Sequence, residues 1–193
     1  MTDQFRTYLR RFVELNDQQW QALAEKMVVK TIRKKEFLVK QGQISRDIYF
    51  MISGSCRLYY EKDGEEKTTY FFFENNLIAD YLGCVTDNPS SMSIQALEDC
   101  ELIYFKYQTL TDLYESHPIY QVFGRKLAEY LFAGLDMRLA ELLTLTPEER
   151  YLKFMNTAIK RKIIERIPQQ YIASYLGITP VSLSRIRRRI IFS

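Results

Sequence analysis

Along the first thirty residues Leu9, Phe12, Val13, Leu15, Trp20, Leu23 and Met27 recur at helical intervals, broken near Asn16-Asp17. This spacing predicts two short helices between residues 6 and about 29. From residue 31 to about 107 the pattern changes to short runs rich in β-branched and aromatic residues, at 37–39, 48–52, 56–60, 68–73, 92–97 and 102–105. They have the length and composition of strands. Turn chemistry punctuates them at Gln41-Gly42-Gln43, Ser53-Gly54-Ser55, Asp63-Gly64 and Asn88-Pro89-Ser90. Many short strands separated by tight turns predict a small jelly roll or barrel. After Ser116-His117-Pro118 the helical period returns and runs to about Thr144. Ser116 or His117 is placed to cap this helix, and Pro118 suits its first turn.

The helix is a rod of roughly 40 Å, at about 1.5 Å per residue, and carries two apolar stripes. Tyr120, Phe123, Leu127, Tyr130, Gly134 and Met137 form one; Ala128, Leu131, Leu135, Leu139 and Leu142 lie close to the other. A helix apolar on two faces has two surfaces to pack against. One is its own β-domain and the other a second copy of the chain, with Ala128, Ala133, Gly134 and Ala140 permitting close approach. The alternative is a helix buried wholly within one monomer. Beyond Pro147 the pattern predicts a helix from Glu148 to about Ala158, a short strand at residues 163–167, and two further short helices.

Net charge changes this picture only when divided along the chain. The 193 residues carry +3 in all, but residues 146–193 hold ten bases against three acids, +7, leaving the first 145 with 17 bases and 21 acids, −4. A weakly acidic body with a strongly basic end is the pattern of a regulated polyanion binder. Cys56, Cys84 and Cys100 form an odd set without a C-x-x-C pair, and His117 is the single histidine. Free, reduced and partly buried thiols are expected, with no metal and no cofactor. The longest apolar runs, such as Tyr70-Phe71-Phe72-Phe73, fall far short of the roughly 20 residues that span a bilayer. No membrane partner is expected. Charges near the N-terminus, where a secretory signal would be apolar, add the expectation of a cytoplasmic location.

Residues 169–186 fit a helix-turn-helix. Ile172, Leu176, Ile178, Leu183 and Ile186 supply the contacts between two helices, Ala173 the small residue at their crossing, and Gly177 the turn. Thr179 is a good N-cap and Pro180 a good first helical residue. With Leu183, Ile186 and Ile190 facing inward, 100° per residue places Val181, Ser184, Arg185 and Arg188 on the opposite face. That face suits a major groove, where Arg185 can grip guanine O6 and N7 and Val181 can rest on a thymine methyl. Arg187, Arg189 and residues 160–162 are assigned to phosphates. Gln169, Gln170 and Ser182 complete the expected DNA-contacting set.

At this point the chain resembles the Crp/Fnr family of bacterial transcription regulators. The likeness rests on the glycine-punctuated barrel (Gly42, Asp47-Ile48-Tyr49-Phe50-Met51-Ile52-Ser53-Gly54, Asp63-Gly64), on Leu97-Glu98-Asp99-Cys100-Glu101-Leu102, on His117-Pro118 and on Leu183-Ser184-Arg185-Ile186. The resemblance implies an α+β fold: an N-terminal double-stranded β-helix (jelly roll) with N-terminal helices over residues 1–116, a dimerisation helix over 117–145, and a winged helix-turn-helix over 146–193. It also implies a homodimer on a two-fold operator, with double-stranded DNA and RNA polymerase as partners and no enzymatic activity. Members that bind cyclic AMP use a Gly-Glu-Leu turn and an Arg-Ser or Arg-Ala pair. Here those stretches read Ala79-Asp80-Tyr81 and Ser90-Ser91, and no base lies between Lys67 and Lys106. A cyclic AMP site is therefore not expected. Four cysteine ligands for an iron–sulfur cluster are lacking, and His117 before Pro118 reads as a helix cap rather than a haem ligand. Val181 replaces the acidic residue of the best-known recognition helices, so operator sequence does not transfer. The span between residues 158 and 169 leaves room for only an abbreviated wing. The barrel is expected either to sense an unidentified ligand or to serve only as a scaffold; the pocket for an effector is expected between barrel and long helix, less polar than a nucleotide phosphate site, near Ile78, Tyr81, Ser91, Ser93, Leu131 and Leu135. The competing function is a ligand-binding regulatory protein that acts on a protein partner through its barrel.

Overall fold

Helices α1 (Thr2–Leu9) and α2 (Asp17–Ala24) form where the early apolar spacing places them. Asn16 starts α2 with a capping box: its side chain accepts from Gln19 N at 2.8 Å while the Gln19 side chain accepts from Asn16 N at 3.0 Å. The computed structural model describes residues 2–157 and 160–191, with the backbone alone described for 160, 161 and 191.

Eight strands follow: β1 (Val28–Ile32), β2 (Phe37–Val39), β3 (Asp47–Ser53), β4 (Cys56–Lys62), β5 (Glu65–Phe72), β6 (Leu77–Ile78), β7 (Ser93–Ala96) and β8 (Cys100–Lys106). They make two four-stranded sheets, ordered β1-β8-β3-β6 and β2-β7-β4-β5. The six strand-like runs of the sequence are all strands. Residues 28 and 29, expected at the end of a helix, instead open β1, where pairing of Val28 with Tyr104 and Val29 with Ile103 supplies backbone partners. Helix α3 (Tyr81–Thr86) and helix α4 (Tyr107–Ser116) were not expected. Asp80 caps α3 by accepting from Gly83 N at 3.1 Å, and α4 buries Leu110 and Leu113.

The chain divides into two compact units, Met1–Leu58 with Phe71–Leu131 and Tyr59–Tyr70 with Phe132–Ser193. In the first, the β3–β8 sheet is buried on both faces. Phe50, Ile103 and Phe105 share a cluster with Phe5, Trp20, Leu110, Tyr120 and Phe123. Met51, Leu102 and Ile78 share another with Leu38, Cys56 and Ile94 of the second sheet.

Helix α5 runs over Pro118–Thr144, 27 residues, as the pattern predicts. Ser116 is not its cap: it ends α4, and its hydroxyl turns back to Asp112 O at 2.8 Å. His117 stands between the two helices, its carbonyl accepting from Tyr120 N at 2.9 Å.

The second unit holds α6 (Pro147–Met155), α7 (Lys160–Arg166), α8 (Gln169–Tyr175) and α9 (Pro180–Ile191). Helix α6 stops at Met155; the expected end at Ala158 lies outside the described residues. In place of the strand expected at 163–167, residues 163–166 end helix α7, because Ile163 and Ile167, each 3% exposed, are buried at i, i+4 spacing. Among the described residues no strand follows Lys106, so the expected wing has no strand here.

Gly54 joins β3 to β4 at φ +107°, and a Cβ there would lie 2.8 Å from both Asp99 O and Cys100 Cα. Gly54→Ala should therefore cost about 1–3 kcal/mol, measured as a lowered denaturation midpoint. A Gly64→Ala control, at φ +79° with nothing within 4 Å, should cost less.

Candidate nucleic-acid interface

The turn between α8 and α9 is set by backbone geometry. Ile178 N reaches back to Ala173 O at 3.0 Å while Gly177 takes φ +70°, a Schellman ending that favours glycine at this position. Thr179 then accepts from Ser182 N at 3.1 Å, so α9 starts where the sequence places its cap. Ile172, Ala173, Leu176, Leu183 and Ile186 are buried, and Ile178 is half-buried.

The opposite face of α9 is open. Val181 is 61% exposed, and Ser184, Arg185 and Arg188 are exposed. The arginines divide into two kinds. Arg187 donates to Gln169 Oε1 at 2.7 Å and Arg189 to Glu148 Oε2 at 2.7 Å. Arg185 and Arg188 make no ion pair or hydrogen bond among the described residues. Gln170 is exposed, Ser182 is half-buried with its hydroxyl 3.0 Å from Thr179 Oγ1, and Gln169 is engaged by Arg187. Lys162 is exposed; the side chains of Lys160 and Arg161, assigned to phosphates, lie outside the described residues.

Three residues that position this helix pair were missed. Arg150 of α6 donates through Nε to Leu176 O at 2.9 Å and through a terminal nitrogen to Leu145 O at 2.6 Å. Arg138 of α5 stacks on the Tyr175 ring at 3.9 Å and donates to Tyr175 O. Both guanidiniums thus serve the carboxyl end of α8, where carbonyls lack helical partners. Burial pushes the Tyr175 hydroxyl up, keeping the ring neutral under the cation. Ser174 accepts from Thr68 N at 2.9 Å and donates to Glu66 O at 3.0 Å, fastening α8 to the outer strand β5. A local pattern offers no signal for pairs 26 to 108 residues apart.

The six residues expected around an effector differ in burial. Ile78 is 1% exposed in the core, and Ser93 is buried with its hydroxyl accepting from Gln41 N at 3.0 Å. Tyr81, Leu131 and Leu135 are 57%, 51% and 68% exposed, and Ser91 is exposed. The three cysteines are buried and form no disulfide. Burial pushes the Cys84 thiol up to about 11, and the Cys56 thiol, 3.9 Å from Cys100 Sγ, is also raised. Thiols held protonated in this way are poor nucleophiles. Among the described residues, no helix is long and apolar enough to cross a membrane, and no three potential metal ligands come together.

These two sheets followed by a long helix are the architecture of a cyclic nucleotide-binding β-sandwich, and residues 29–117 match the model of the cyclic nucleotide-binding domain. No curated protein matches the chain in sequence. Solved structures are similar over most of its length. The c-di-GMP responsive global regulator CLP of Xanthomonas campestris is 16% identical, with 91% of each chain covered and a TM-score of 0.71. FixK2 from Bradyrhizobium japonicum is 19% identical over 86% of this chain and 85% of that one, TM-score 0.69. The catabolite activator protein of Thermus thermophilus is 18% identical over 95% and 86%, TM-score 0.59. These structural neighbours lie in the Crp/Fnr regulator family, and at such identities the likeness is one of fold.

Removing the Arg150 fork leaves the Leu176 carbonyl without its partner. Arg150→Ala should destabilise the C-terminal helices by about 1–3 kcal/mol, read by chemical denaturation. Arg150→Lys should recover less than half, because an ammonium cannot span both carbonyls.

Proposed function

We propose that the protein is a sequence-specific DNA-binding transcription regulator of the Crp/Fnr type, acting as a homodimer on a two-fold symmetric operator. The observation that carries this reading is the division of the α9 arginines. Arg187 and Arg189 are engaged within the protein, while Arg185 and Arg188 share an exposed face with Val181 and Ser184. A guanidinium free of internal partners has both its donors available for guanine O6 and N7. The +7 charge of residues 146–193 supports attraction to phosphate in the same region. The family resemblance adds RNA polymerase as a partner.

Support for the dimer comes from α5. Tyr120 and Phe123 are buried, but Leu131, Phe132, Leu135, Met137, Leu139, Leu142 and Leu143 are between 42% and 75% exposed. So much apolar surface on one helix calls for a partner, and a second copy supplies a self-complementary one. Such a dimer places its two recognition helices about 34 Å apart, one turn of duplex. Cyclic AMP is disfavoured as an effector by the lack of any base from residue 68 to 105. The Ser90 hydroxyl, in the stretch that the resemblance aligns with the cyclic phosphate pair, is occupied with Met92 O at 2.9 Å and Met92 N at 3.2 Å.

Arg185→Ala should weaken specific binding by about 1–3 kcal/mol and relax one base position, measured by mobility shift against a selected operator. Equal weakening on all duplexes would reduce Arg185 to a phosphate contact. Affinity should fall steeply with salt; no duplex binding even at low salt would leave the protein-partner reading. Leu135→Glu with Leu139→Glu should convert the dimer to a monomer in sedimentation and lower operator affinity in parallel.

A further inference from the structure

A cavity of about 360 Å³ opens in the first unit, between the β2–β3 connection and the polar end of β3 and β8. None of the six residues expected around an effector borders it. Leu38, Val39 and Ile44 form its apolar wall, and Ile44 is 48% exposed although it is fully aliphatic. Its cations are Lys40, Arg46 and Lys106, and its one carboxylate is Asp47.

The charges of this lining do not cancel. Asp47 is neutralised, with Lys106 Nζ at 2.7 Å from one oxygen and the Tyr49 hydroxyl donating to the other at 3.1 Å. Burial and that carboxylate push the Tyr49 hydroxyl up, so it remains a donor. Arg46 is neutralised by Asp87 in a two-pronged pair of 2.6 and 2.9 Å. Lys40 has no carboxylate partner among the described residues and lies over the Phe37 ring, 5.7 Å from its centroid. Lys30 adds to the same sign, 5.3 Å from the centroid of the Tyr49 ring. A cavity with an apolar wall and one uncompensated ammonium at its rim is complementary to a molecule that is apolar at one end and negative at the other.

We infer that this cavity is a binding site for a small organic anion, whose carboxylate or phosphate pairs with Lys40 and whose apolar body lies on Leu38, Val39 and Ile44. Arg46 and Lys106 flank the anion, each already held in place by its own carboxylate. The site stands on unit-one geometry alone and is independent of any DNA-binding role.

The test is a methyl-resolved NMR titration of the full chain, with Ile44 assigned through Ile44→Val. The probes are phenyl phosphate and benzoate, with benzyl alcohol and benzylamine as neutral and cationic controls. Saturable shifts at Leu38, Val39 and Ile44 are expected with both anions, at least about tenfold tighter than with either control, as a charge-assisted contact implies. Lys40→Gln should weaken the anions by about tenfold and leave the controls unchanged. Equal binding of benzyl alcohol, absence of shifts at these methyls, or an unchanged anion affinity in Lys40→Gln would each overturn the assignment.

Discussion

The carbonyls at the end of α8 have to find donors, and the way they do so governs the C-terminal region. A helix of seven residues has few internal bonds to hold it. Its last carbonyls are met by Arg150 from α6 and by Arg138 from α5, which also covers the Tyr175 ring. The chain then reverses at Gly177 and enters α9 through the Thr179 cap. The direction of α9, and with it the exposure of Arg185 and Arg188, follows from this fixed ending.

The first unit depends on a sheet that is buried twice. Residues of β3 alternate between the cluster shared with α1, α2 and α5 and the cluster shared with the second sheet. A one-residue slip would exchange the two sets, so the register is strongly specified. The alternation ends in Asp47 and Lys106, which pair across the strands at the polar end of the sandwich. There the apolar interior gives way to lysines and tyrosines, and a cavity forms with a surplus of positive charge.

Much of this was legible in the chain. The six strands, α2, α5 and the α8–α9 pair were marked by period, by the break at Asn16-Asp17, by Pro118 in a first turn and by the Thr179 cap. The elements that were misread are those where burial outvoted local preference. Residues 163–167 have a strand's composition, yet Ile163 and Ile167 find the core only at helical spacing. Val28 and Val29 continued a helical count but had an open edge of β8 to pair with. Helix α3 has Asp80 as its one sequence signal, a cap that sits in the stretch compared with a ligand-binding turn.

The sequence alone determined the order of elements, the separation of charge between body and basic end, and which face of α9 is apolar, because each depends on neighbours within a few residues. Tertiary structure decided which arginines meet a partner within the chain and where a cavity lies. Arg187 and Arg189 look no different from Arg185 in the chain, and they differ only because Gln169 and Glu148, 18 and 41 residues away, come within 2.7 Å. Lys40 is likewise one lysine among many until Asp47 and Asp87 are occupied by Lys106 and Arg46. Partnership between distant charges is a property of folded distance, and short-range pattern carries no record of it.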